Sequence, residues 1–63
     1  MSNLTIAKSY WRSIKRGTKT FEQVPEALKE DVKALAREDV ESGAITAEQY
    51  EQYIGEPYME DET

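Results

Sequence analysis

Apolar residues recur through the first sixteen positions at helical spacing. Leu4, Ala7, Tyr10, Trp11 and Ile14 fall on the i, i+3, i+4, i+7 template with polar residues between them. The pattern predicts an amphipathic helix over Leu4–Arg16. Asn3 suits its N-cap, and Gly17 suits the left-handed residue that ends it. Lys15 and Arg16 favour the negative end of the helix dipole.

A second helical segment opens at Thr20–Pro25 and runs to Ser42. Thr20 and Gln23 have capping-box spacing, which starts one turn there. Pro25 then suits the first position of the main helix, with Val24 held extended before it. Leu28, Val32, Leu35, Ala36 and Val40 form its apolar stripe, and the pairs Glu30–Lys33 and Arg37–Glu41 add opposite charges at i,i+3 and i,i+4. Gly43 stops it. The third segment, Ala47–Ile54, is capped by Thr46 with Gln49, carries Tyr50, Tyr53 and Ile54 on its apolar side, and closes at Gly55 before Pro57. Tyr50, Tyr53 and Tyr58 read as packing residues whose hydroxyls stay in water.

The two corners share one sequence. Gly17-Thr-Lys-Thr-Phe-Glu-Gln-Val24 aligns with Gly43-Ala-Ile-Thr-Ala-Glu-Gln-Tyr50 at a spacing of 26 residues. Ile14 matches Val40 upstream and Leu28 matches Ile54 downstream. In this Gly-x-x-Thr-x-Glu-Gln joint, glycine ends one helix and threonine caps the next, while glutamine reaches back. The expected caps are therefore Gly17, Thr20, Gln23, Gly43, Thr46, Gln49 and Gly55. The fold class that follows is all-α: one three-helix domain over residues 1–58, and a disordered acidic tail at 59–63.

Composition changes this picture chiefly by what it removes. The 63 residues include no Cys and no His, so disulfides, soft metal sites, the commonest general base and the best nucleophile are all missing. A core this thin has little means of walling off a carboxylate to shift its pKa. The expectation is a protein that is not an enzyme, with no catalytic residue, cofactor, metal or small-molecule substrate. No apolar run reaches the ~20 residues of a membrane span, and the N-terminus lacks a signal peptide's apolar region. The expected location is the cytoplasm, or exposure after lysis or assembly.

Charge is segregated. Residues 1–20 carry Lys8, Arg12, Lys15, Arg16 and Lys19 and no acid, whereas the remainder holds three cations and thirteen acids. Lys8, Arg12, Lys15 and Lys19 share one helical face. The acidic remainder disfavours nucleic acid as the partner, and the simpler reading pairs this face with acids of the second helix. Pairing neighbours such as Glu30/Asp31 or Glu38/Asp39 point apart on a helix, which also argues against a metal site.

Gly43-Ala-Ile-Thr-Ala-Glu-Gln-Tyr50, followed by Tyr53-Ile-Gly-Glu-Pro-Tyr58, resembles the end of the XkdX family of short phage and prophage proteins encoded among tail genes. Tyr10-Trp-Arg-Ser-Ile-Lys15 and Gly17–Val24 fill the places of that family's aromatic, basic first helix and its earlier joint. The middle helix is longer here, and Lys19 stands where an aromatic is usual. The resemblance implies a setting, a phage tail or prophage locus, and no chemistry for any residue. The expected partner is accordingly a protein, either a tail component or a further copy of the chain. Tyr10, Trp11, Arg12 and Lys15 are the candidate contact residues, with Trp11 more readily explained as the largest core residue. The alternative is a small acidic regulator that binds one host or phage protein.

Overall fold

The computed structural model describes residues 3–58, and the acidic tail expected at 59–63 lies outside them. Helix α1 spans Asn3–Arg16, a single 3-10 turn spans Phe21–Gln23, α2 spans Glu26–Ser42 and α3 spans Ala47–Ile54. No strand occurs among the described residues. The fold is therefore the expected all-α three-helix domain. Helix α2 is its centre, packed extensively on α1 and less so on α3.

Each corner is closed by its glycine. Gly17 and Gly43 adopt φ of +88° and +87°. Thr18 N–H donates to Ser13 O at 3.0 Å and Gly17 N–H to Ile14 O at 3.1 Å, which is a Schellman cap. Ala44 to Asp39 (2.8 Å) and Gly43 to Val40 (3.1 Å) repeat it 26 residues later. Gly55 ends α3 with one bond to Glu51 O at 2.8 Å. The carbonyls of Ser13, Ile14, Asp39, Val40 and Glu51, among those the three helix ends leave open, are thus met within the chain.

The core gathers Ala7, Trp11 and Ile14 of α1, Leu28, Val32 and Ala36 of α2, and Tyr50 and Ile54 of α3. The corners contribute Phe21, Val24 and Ile45, which helical periodicity alone leaves out. Leu4, expected on the buried stripe, is 43% exposed. It lies on the flank of the face centred on Ala7, Trp11 and Ile14, about 50° round the helix at 100° per residue. Tyr10, Leu35, Val40, Tyr53 and Tyr58 pack half-buried against the same cluster. Tyr50 is only 2% exposed, deeper than a packing tyrosine that keeps its hydroxyl in water.

Two further expectations are corrected. Pro25 has ψ 145°, so it precedes α2 as its cap residue instead of occupying the first helical position. Its carbonyl accepts from Leu28 N–H at 2.8 Å. Lys33 leaves Glu30 and bridges to Glu56 at 3.0 Å, while Arg37 and Glu41 form no ion pair among the described residues. The intrahelical pair that does form is Lys29–Glu26, at 3.8 Å. Lys33 reaches across because the chain after Gly55 folds back over α2 and α3. There Tyr58 meets Tyr50 edge to face at 5.1 Å, and its N–H donates to Glu51 Oε2 at 3.1 Å. The hydrogen bond with Glu56 raises the Lys33 pKa against a smaller opposing effect of burial.

Candidate docking surface

Trp11 joins the three helices. It is 4% exposed, so it belongs to the core. Its indole N–H donates to Asp39 Oδ2 of α2 at 2.9 Å, and its ring meets Tyr53 of α3 edge to face, 5.5 Å between centroids. Lys15 comes from the next turn of α1, donates to the same Asp39 oxygen at 2.9 Å, and sits 5.1 Å from the indole centroid. A carboxylate that receives both a neutral and a charged donor settles the packing angle of α1 on α2.

Partial burial alone would push the Asp39 pKa up. The hydrogen bonds from Lys15 and Trp11, with the Lys15 charge, outweigh that effect and hold the carboxyl below its ordinary range. Sequence pattern pointed to this kind of pairing for the basic face without naming the acid. Asp39 stands four residues before Gly43, as Ser13 stands before Gly17, so the repeat did not single it out.

The four expected contact residues therefore separate. Trp11 is buried, and Lys15 is tied to Asp39. Tyr10 is half-buried on the opposite flank of α1, and Arg12 is exposed without an ion pair among the described residues. Lys8 and Arg12 edge an open groove between α1 and α2, with Leu35 and Glu38 across from them. Another open groove lies between α2 and the returning chain, bounded by Arg37, Tyr50 and Glu56. Leu4 and Ile6, the latter 44% exposed, add apolar surface at the start of α1.

Among the described residues, no group of three or more Asp, Glu, His or Cys could hold a metal ion. No helix there is long and apolar enough to cross a membrane. Exposed cations run along α1 and exposed acids along α2 and α3, and Lys8 and Arg12 face Glu38 across the groove between α1 and α2. Comparison with protein-family models, with curated proteins and with solved structures found no match for this chain.

Proposed function

We propose that this chain is a non-enzymatic docking protein of a phage or prophage, an accessory to tail structure or assembly that acts through contacts with other proteins. The observation that carries the reading is the structural use of the residues behind the XkdX resemblance. Gly43, Thr46 and Gln49 form the second joint, Tyr50 and Ile54 fill the core, and Gly55 to Tyr58 turn back over α2 and α3. The resembling segment thus supplies the second corner, α3 and the returning chain to a core shared with α1 and α2. The N-terminal helix offers exposed cations and the half-buried Tyr10 for such contacts.

The test is fractionation of a lysate from induced host cells, with the chain followed by antibody. Presence in tail assembly intermediates or finished particles is expected. A chain found only free in the soluble fraction would overturn the tail assignment. The second reading, an acidic regulator, is favoured by the exposed carboxylates of α2 and predicts capture of one soluble partner that weakens as salt rises. A pull-down indifferent to ionic strength removes it.

A further inference from the structure

The two charged surfaces of this molecule lie on different helices and are alike in spacing. Lys8, Arg12 and Arg16 recur every four residues along α1, all exposed and without an ion pair among the described residues. On α2, Glu30, Ala34 and Glu38 recur at the same interval on the outward face, with Asp31 and Glu41 beside them. Eight residues of helix rise by about 12 Å, so Glu30 and Glu38 on α2 are set apart along the axis as far as Lys8 and Arg16 are on α1, with uncharged Ala34 midway between the two acids. Ala27 and Ala34 are exposed in the acidic face, and such small residues admit another helix at close range. Arg37 is the cation within that face. Inside one molecule, the ion pair that joins α1 to α2 is Lys15–Asp39, which leaves both rows unspent.

We propose that the chain associates with further copies of itself head to tail, the basic row of α1 on one copy lying across the acidic outer face of α2 on the next. The inference rests on the reading of the chain as a docking protein and names its partner as a second copy. Because the two surfaces differ, the contact is heterologous and leaves a free surface of each kind at the ends of every open assembly. It therefore builds rows or rings, not closed two-fold pairs. The contacts are exposed charges, so association is weak, grows with concentration and is suppressed by salt.

Sedimentation velocity of the purified full chain across a concentration series tests this, at about 20 mM and about 500 mM salt. Self-association at low salt that is lost at high salt is expected. The variants K8Q/R12Q/R16Q and E30Q/E38Q/E41Q each remove one surface, and either is expected to weaken association about tenfold or more. All six positions are exposed, so both variants keep the wild-type helical circular dichroism. Mixed together, each lends its intact surface to the other, and the mixture is expected to form a 1:1 pair that grows no further. A wild-type chain that stays monomeric at low salt, or association unchanged in either variant, would overturn the proposal. So would a monomer whose basic row shifts a short DNA duplex, since phosphate is then the ligand. A monomer that still fractionates with tail intermediates would end this inference and leave the docking reading standing; a self-associating chain absent from them does the reverse.

Discussion

The two joints share a sequence frame and fold differently. In the second, Tyr50 N–H bonds Thr46 O at 2.9 Å, the i to i−4 pattern of an α-helix, and α3 follows at once. In the first, Gln23 N–H reaches Thr20 O and Val24 N–H reaches Phe21 O, both at 3.0 Å and both i to i−3. The chain there makes one 3-10 turn, extends through Val24 and Pro25, and only then starts α2. Both joints exit through a left-handed glycine, and in both the glutamine side chain accepts from the threonine N–H at 2.9 Å. They also bury different neighbours: Phe21 follows Thr20 into the core, whereas Ile45 enters just before Thr46. A capping box thus decides where a turn begins, and the residues after it decide whether a helix continues.

The largest difference is expected at the equivalent positions Ser13 and Asp39. Asp39→Ala removes the acceptor shared by Trp11 and Lys15 and leaves a buried indole N–H unpaired, at a cost of about 2 kcal/mol. In a domain of this size that lowers the melting temperature by roughly 10 °C. Ser13→Ala, which keeps the carbonyl that receives Thr18, stays within about 0.5 kcal/mol. Calorimetry of both variants measures the contrast, and equal losses would show that Asp39 matters only as a helix-end residue. The Asp39 advantage is also pH-dependent. Its folded pKa lies below the unfolded value, so the contribution is full above about pH 4 and disappears as pH falls through the lower folded value. The gap between wild type and Asp39→Ala should therefore narrow in acid, leaving the part that a neutral carboxyl still contributes by accepting the indole N–H.

The glycines come next, and here the joints are expected to agree. A Cβ at Gly17 or Gly43 meets nothing within 4 Å, so the substitution costs only its left-handed backbone. Gly17→Ala and Gly43→Ala should each lose about 1–2 kcal/mol by urea titration. A clear inequality would mean that one exit carries strain or compensation that the shared Schellman bonds do not reveal.

These positions also show what was legible beforehand. Helix boundaries, the glycine exits and the glutamine caps are local features, and local chemistry reads directly from sequence. The roles of Phe21, Val24 and Ile45 are not local: each lies in a corner, where no period exists to mark the buried side. Leu4 fits the helical period and is still 43% exposed, because periodicity gives a direction and not the extent of the neighbour that covers it. The same limit hid the ion pairs. Lys33 had a partner in sequence at Glu30 and took Glu56, which only the returning chain brings near. Within the candidate surface, the basic row was visible from spacing, but the separation of buried Trp11 from exposed Arg12 required the packing of α1 on α2.

A smaller contrast lies in the threonines. Thr46 Oγ1 accepts from Gln49 N–H at 3.0 Å, whereas the Gln23 N–H at the first joint is directed to a backbone carbonyl. Thr46→Ala is expected to cost about 1 kcal/mol and Thr20→Ala a few tenths, about the range of weak caps. Equal costs in denaturant titrations would place the Thr20 hydroxyl in a full cap and remove this distinction between the joints.

The smallest effect on stability carries the most information about cause. Two features separate the first joint from the second: Pro25, which disfavours a helical Val24, and the burial of Phe21 where the second joint has exposed Ala47. Pro25→Ala removes the first and keeps the second. If proline is what stops the turn, the Val24 Cα chemical shift moves toward helical values and the gap between Gln23 and Glu26 begins to close. The stability change should stay under about 1 kcal/mol, because losing a rigid residue is offset by a gained N–H donor. An unchanged shift would instead make the buried Phe21 the stop. The first joint would then differ from the second by what its neighbours bury, and the proline would only follow a path the core had already set.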